Sequence, residues 1–323
     1  MRPARMTSPD DLSTILGVGA VIGAAARHGV LDAIARGTAT TRAELTLRLA
    51  LHDGAVTRLV DALTALGVVI ENEGGLTLSD ATREAISREP APLATTAKMW
   101  AFLDEHLHTG ADLGLMGESG PSRDETYVRV VDGLATRFEE HAVRLAALLD
   151  RPLSRVLDLG VGSGVWSLAM VAKGGGSVVG IDGAATSERF LARAKSLGLS
   201  LRVEARVGDY LTIPLEDGAY DRVVLANVVH LEPSETARAL VGRAARALAK
   251  GGELVVIDAL PKEGPRERAD LALYALGLSM RVPHGRVYTH AEIEEFVVDA
   301  GLRSVRTHHL DSSHGGALVA VHA

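Results

Sequence analysis

The stretch Arg155-Val-Leu-Asp-Leu-Gly-Val-Gly-Ser-Gly-Val-Trp166 limits the fold more than any other part of this chain. Val156, Leu157 and Leu159 read as a buried strand, and Gly160, Gly162 and Gly164 follow it at once. Glycine accepts positive φ and carries no side chain, so such a turn is tight and lets a ligand approach the backbone closely. A strand that runs into a glycine turn and then a helix is suited to holding a nucleotide-like cofactor. The spacing is Gly-x-Gly-x-Gly instead of Gly-x-Gly-x-x-Gly, and Asp158 sits inside the strand end.

Downstream the chain alternates between strand and helix patterns. Strands are predicted at Arg155 to Leu159, Ser177 to Asp182, Leu201 to Asp209, Asp221 to Val228 and Glu253 to Ala259. That alternation predicts an α/β fold with a Rossmann-like doubly wound parallel sheet. Val305 to Leu310 and Ala317 to His322 have no helix between them and predict an antiparallel C-terminal hairpin. Upstream, Leu12 to Ile86 reads as helix, short helix and helix followed by a small two-stranded wing. Thr41-Arg-Ala-Glu44 is a capping box, and the wing turns at Asn72 to Gly75. The expected organisation is an N-terminal helical, winged-helix dimerisation domain over 1–91, a helical connector over 92–150 that contributes to a substrate pocket, and a catalytic domain over 151–323.

Composition narrows the function. A chain of 323 residues, 47% apolar and 23% charged, is ordinary for a soluble globular protein. Its net charge of −7 gives no basic surface for nucleic acid. A winged helix raises the question of DNA, but Asp53 to Leu66 carries only Arg58 as a cation and the wing carries Glu71 and Glu73. Acidic wing residues repel phosphate, so dimerisation is the expected role. Cysteine is absent, which excludes disulfides, thiolate metal sites and cysteine nucleophiles. The apolar run Ile15 to Ala26 is too short to span a bilayer, and Asp10 and Asp11 interrupt a secretory pattern. A packed helix and a cytoplasmic protein with no membrane association are expected.

Four strand ends converge on one site. Asp182 closes the second strand about twenty positions after the glycine turn, where a carboxylate accepts from ribose hydroxyls. Gly208-Asp209-Tyr210 ends the third strand in position to contact adenine. Asn227-Val-Val-His230 ends the fourth, above the crevice where open α/β sheets bind ligands. A nicotinamide oxidoreductase shares the glycine turn and the ribose acid, and stands as an alternative at this point.

Together, Asp158-Leu-Gly-Val-Gly-Ser-Gly164, Asp182, Gly208-Asp209-Tyr210 and Lys250-Gly-Gly-Glu-Leu-Val-Val-Ile-Asp258 resemble the class I S-adenosylmethionine-dependent methyltransferases. With the helical region in front, the whole chain looks like the two-domain O-methyltransferase family of plant phenylpropanoid and bacterial natural-product enzymes. The resemblance implies S-adenosylmethionine as cofactor, with S-adenosylhomocysteine as product, held by Asp158, Gly160, Gly162, Gly164, Asp182, Gly208, Asp209, Tyr210 and Asn227. It also implies a homodimer and O-methylation of a small secondary metabolite.

In that family a histidine at the end of the fourth strand is the general base on the acceptor hydroxyl, and His230 falls there. Asp258 stands where one acid of the family fixes the imidazole. Val287, Leu231 and Ala226 depart from the pattern at a second acid, at the aspartate after the histidine and at a basic residue before it. Trp100, Phe138, Tyr274, Met280, His284 and Arg286 are the expected acceptor pocket. No metal belongs to this reading. An alternative resembles the iron-dependent C-methyltransferases of 2-oxo acids, in which two histidines hold a metal; His230 and His284 would serve here, with Arg281 or Arg286 pairing the substrate carboxylate. A further alternative keeps the fold and the bound cofactor but performs no methyl transfer.

Overall fold

The computed structural model describes residues 9–87, 92–113, 121–260, 265–310 and 315–322. The chain divides into two compact units, Met1–Asp104 and Glu105–Ala323. The division falls within residues 92–150, the segment that the sequence suggests as a connector.

The first unit contains α1 (Pro9–Arg27), α2 (Val30–Ala35), α3 (Arg42–Leu49) and α4 (Asp53–Ala65), then the strands β1 (Val69–Asn72) and β2 (Gly75–Leu78), then α5 (Asp80–Ser87) and α6 (Leu93–Ala101). The capping box is present: Glu44 N–H donates to Thr41 Oγ1 at 3.2 Å and Thr41 N–H to Glu44 Oε2 at 3.1 Å. Leu45, Val56, Val60, Leu63, Val69, Leu76 and Leu78 bury one face of these helices and strands in a common core. The hairpin pairs Val69 with Leu78 and Asn72 with Gly75, which puts the turn where the sequence places it. Arg42 fastens it to the helices, donating to Glu71 Oε1 at 2.9 Å and to Thr57 O at 3.0 Å and pairing with Asp61 at 2.7 Å. Glu71 is thus spent within the fold. On α1, Leu12, Ile15 and Leu16 stay exposed.

After α7 (Leu103–Thr109) come α8 (Pro121–Leu148), β3 (Arg155–Leu159), α9 (Val165–Gly174), β4 (Ser177–Asp182), α10 (Ala184–Ser196), β5 (Val203–Val207) and β6 (Tyr220–Ala226). The chain ends with α11 (Ser234–Ala247), β7 (Leu248–Ala259), α12 (Pro265–Ser279), α13 (His290–Asp299), β8 (Leu302–His309) and β9 (Gly315–His322). The sheet order is β5-β4-β3-β6-β7-β9-β8, with β9 antiparallel to both neighbours and the other pairings parallel. This is the doubly wound sheet with a terminal antiparallel hairpin that the strand pattern predicts; residues 311–314 of the hairpin link lie outside the described residues.

Strand alternation sends Leu157, Leu159, Val223 and Leu225 to one core layer and Val156, Val224, Val178 and Val255 to the other. Burial on both faces explains why these strands read as continuous apolar runs. The chain winds from β3 outward to β5 and returns to β6, so the order reverses beside β3. That reversal opens a crevice at the C-terminal ends of β3 and β6.

Candidate active site

The glycine turn between β3 and α9 forms the floor of this crevice. Gly160, Gly162 and Gly164 have φ values of 72°, 56° and 70°, in the left-handed region. A Cβ on Gly160 would collide with Val228 Cγ1, and one on Gly164 would lie 2.5 Å from Phe190. No other residue type fits these two positions.

Asp182 ties the turn down. Its Oδ2 accepts from Gly162 N–H at 2.8 Å and its Oδ1 from Gly183 N–H at 2.8 Å. Both bonds fix the glycine turn against the end of β4. Asp158 is 1% exposed and its Oδ1 has no hydrogen-bond partner among the described residues. Burial pushes its carboxyl up to about 7, and the charge of Asp182 adds to this while Ser167 opposes it. An acid in this state is suited to a cationic partner, and S-adenosylmethionine carries a sulfonium and an ammonium. The glycine cradle and the orphaned buried carboxylate oxygen therefore fit this cofactor.

Gly208, Asp209 and Tyr210 follow β5. Gly208 N–H donates to Asp182 O at 3.0 Å, which sets the loop beside the acid. Asp209 is exposed, with Oδ1 accepting from Leu211 N–H at 2.8 Å. Tyr210 lies against the glycine turn, since a Cβ on Gly160 would stand 3.6 Å from two of its ring carbons. Asn227 has a φ of 56°, and its N–H donates to Ile257 O at 2.8 Å. This left-handed residue ends β6 and turns the chain into the short 3-10 turn Val229–Leu231.

His230, in that turn, is 5% exposed. Its Nδ1 lies 2.5 Å from Asp258 Oδ1, and its backbone N–H donates to Asp258 Oδ2 at 3.2 Å. Ala259 N–H also donates to Asp258 Oδ1, at 2.7 Å, so three donors hold the carboxylate at the end of β7. A carboxylate on Nδ1 keeps the proton there and leaves the lone pair on Nε2. Nε2 is 3.4 Å from the Tyr274 hydroxyl, and the two rings meet edge to face at 6.0 Å. Burial, reinforced by the Asp258 charge, holds the Tyr274 phenol above its ordinary range, so it stays protonated. Such an arrangement can accept a proton at Nε2 from a hydroxyl group.

The remaining pocket candidates fall in several places. Leu231, Leu278 and Val282 form a buried apolar cluster with Tyr274 packed against it. Met280 is fully buried, and its carbonyl accepts from Leu113 N–H at 2.8 Å. Phe138 packs on Trp166, with ring centroids 5.4 Å apart. The Arg286 guanidinium pairs with Glu292 at 2.5 Å, while its backbone N–H donates to His230 O at 3.0 Å. Arg281 donates to Gly277 O at 2.9 Å. Trp100 belongs to α6 of the first unit and is half-buried there. His284 is exposed, and among the described residues no group of three or more His, Cys, Asp or Glu gathers as a metal site.

Glu232 is a residue that the sequence did not single out. It is buried and accepts from the Tyr210 hydroxyl at 2.6 Å. Its one sequence signal is an acid two positions after the histidine, which taken alone reads as loop.

Residues 156–252, the heart of this site, match a family described as a methyltransferase domain. The chain is 26% identical to 3-hydroxy-5-methyl-1-naphthoate 3-O-methyltransferase of Streptomyces sahachiroi, over 96% of this chain and 93% of that protein. Among solved structures it shares the fold of the mitomycin 7-O-methyltransferase MmcR, with a TM-score of 0.76 and 21% identity, covering 99% of each chain. It also shares the fold of NcsB1, an O-methyltransferase from neocarzinostatin biosynthesis solved with S-adenosylmethionine and 2-hydroxy-5-methyl naphthoic acid. There the TM-score is 0.69 at 20% identity, covering 95% of this chain and 96% of that one. Among the described residues no helix is long and apolar enough to cross a membrane. The glycine turn, the acid that fastens it and these likenesses identify an enzyme, an S-adenosylmethionine-dependent methyltransferase that is similar along its length to bacterial O-methyltransferases.

Proposed function

We propose that this enzyme methylates a hydroxyl oxygen of a small aromatic secondary metabolite, with His230 as general base. The observation that carries the reading is the 2.5 Å contact of His230 Nδ1 with Asp258, combined with an Nε2 that faces the Tyr274 hydroxyl at 3.4 Å. S-adenosylmethionine supplies an electrophilic methyl group on a sulfonium. Asp158, Asp182, Gly208, Asp209, Tyr210, Asn227 and the three glycines are the residues proposed to hold it. A phenol attacks well only as its proton leaves, and a neutral imidazole fixed in the Nδ1–H tautomer accepts that proton at Nε2 near neutral pH. Asp258 stabilises the imidazolium that results. Most of the remaining rate comes from holding the acceptor oxygen in line with the methyl group. Tyr274 and Met280, beside the apolar group Leu231, Leu278 and Val282, are proposed to shape the acceptor pocket. A flat apolar ring bearing a hydroxyl suits such a lining, and the naphthoate named for the Streptomyces sahachiroi relative is of that class.

The first unit is proposed to join two copies into a homodimer. Its support is the exposed apolar face of α1 at Leu12, Ile15 and Leu16. A cytoplasmic location accompanies this reading.

The test uses methyl-labelled S-adenosylmethionine with a panel of hydroxynaphthoates, other phenols and 2-oxo acids, with product analysis by mass spectrometry, in the presence and absence of a chelator. Label on a phenolic oxygen in both conditions is expected. Label on the carbon of a 2-oxo acid, lost on chelation, would instead make His230 a metal ligand.

A further inference from the structure

Tyr210 and Glu232 stand on loops that leave β5 and β6, two strands separated in the sheet by β4 and β3. Yet the Tyr210 hydroxyl donates to Glu232 Oε1 at 2.6 Å. The loop after β5 therefore runs past the ends of β4 and β3 to meet Glu232, with Gly208 N–H on Asp182 O and the Tyr210 ring beside Gly160. At one end the Tyr210 ring rests on the glycine turn, 3.6 Å from where a Gly160 Cβ would be. At the other end Glu232 is anchored: its N–H donates to Val229 O at 3.2 Å and its carbonyl accepts from the Tyr288 hydroxyl at 2.7 Å. Glu232 is 6% exposed. A carboxylate this buried is costly unless strong donors compensate it, and a short phenol-to-carboxylate bond is one such donor.

We propose that this hydrogen bond is a strap across the cofactor crevice, and that Glu232 is a positioning residue which fixes the Tyr210 ring as one wall of the S-adenosylmethionine site. Glu232 follows His230 by two residues, so the strap also joins the cofactor wall to the turn that bears the proposed base. The inference rests on the crevice being the S-adenosylmethionine site. Packing of Leu211 and Ile213 on the core and the Arg243 bond to Ile213 O hold the loop after β5 as a whole, and the strap fixes the outer end of the Tyr210 ring; without it that ring must be ordered each time the ligand binds. That ordering cost appears as lost affinity.

The experiment is calorimetric titration of the full chain with S-adenosylhomocysteine, for wild type, Y210F, E232A, E232Q and the double variant Y210F/E232A, alongside the melting temperature of each. Loss of one hydrogen bond to a buried charge predicts that Y210F and E232A each weaken binding about tenfold. E232Q retains an acceptor oxygen and is expected to stay within about threefold of wild type, a rescue that bulk destabilisation does not give. The double variant is expected to bind no worse than E232A alone, because both changes remove the same bond. Y210F keeps the ring and carries the test even if E232A fails to fold. Wild-type binding with Y210F affinity unchanged, or additive losses in the double variant, overturns the strap. Failure of the wild type itself to bind overturns the assignment of the crevice, a separate result.

Discussion

Asp258 holds His230 at two points, with Oδ1 2.5 Å from the ring Nδ1 and Oδ2 3.2 Å from the backbone N–H. The carboxylate thereby fixes both the tautomer of the imidazole and the path of the turn that carries it. His230 follows β6 in a 3-10 turn and Asp258 stands near the end of β7, and they meet because these adjacent parallel strands end at the same level of the sheet. The proposed base is thus held from the ends of two paired strands.

Replacing Asp258 with asparagine removes the charge that stabilises the imidazolium and frees the ring to take the wrong tautomer. The expected result is a fall in kcat of about a hundredfold or more, the scale of a general base. S-adenosylhomocysteine affinity should change little, since the groups proposed to hold it are elsewhere. Steady-state kinetics and calorimetry on the same preparation check both halves, and equal losses in kcat and cofactor affinity would count against a role in proton transfer.

Gly160→Ala tests the cradle. The added Cβ meets Val228, and the backbone is left-handed at φ 72°. The conformational strain alone is about 1–2 kcal/mol. Gly198, also left-handed at φ 71° but with open space where a Cβ would go, is the control. G160A is expected to abolish measurable S-adenosylhomocysteine binding, while G198A lowers the melting temperature by a few degrees at most and binds normally. Equal effects of the two substitutions on binding would remove the special role of the turn.

Asp158 predicts a pH dependence whose sign is fixed. Its carboxyl rises on folding from 3.8 to about 7, chiefly through burial. Between those values the folded chain holds a proton that the unfolded chain releases, so the contribution of Asp158 to stability is present below 3.8 and is lost as pH rises to about 7. Asp158→Asn should flatten the stability profile in that window. A cationic ligand favours the ionised acid, so S-adenosylhomocysteine, which bears an ammonium, should release a proton on binding near pH 6.5. Calorimetry in buffers of different ionisation enthalpy reads this directly, and proton uptake would contradict it.

Arg222 separates stability from function. It is 1% exposed and donates to Glu253 Oε2 at 2.6 Å and to Leu149 O at 3.0 Å. Arg222→Leu leaves a buried carboxylate with only the more exposed Arg306 and Arg151 near it. A loss of about 3 kcal/mol in unfolding free energy is expected. Cofactor affinity of the folded fraction should be unchanged, because these residues lie at the opposite ends of the strands from the glycine turn.

The sequence carried most of the fold and the geometry of the glycine turn for a physical reason: both are written in local patterns. The glycine turn, the capping box of Thr41 and Glu44, and the acid that closes β4 each depend on residues close together in the chain. Strand ends were less legible. β7 begins at Leu248, before the Lys250-Gly-Gly segment, because pairing resumes across an irregularity opposite Tyr220 and Arg222. Partnerships across the sheet were not legible at all. Nothing in the sequence joins Tyr210 to Glu232, which stand beyond strands separated by two others, or shows that Asp158 keeps an orphaned oxygen, because both depend on three-dimensional packing. The aromatic candidates show the same limit. Phe138 and Tyr274 both look like pocket residues on a helix, but one packs on Trp166 and the other on His230.

The most direct test of the account is the rate of methyl transfer by His230→Ala, measured with labelled S-adenosylmethionine and the best phenolic acceptor of the panel, with S-adenosylhomocysteine affinity determined on the same protein. The account predicts a loss in kcat of about a hundredfold or more with cofactor affinity kept, as removal of a general base requires. Turnover close to that of the wild type, with the same oxygen methylated, would contradict it.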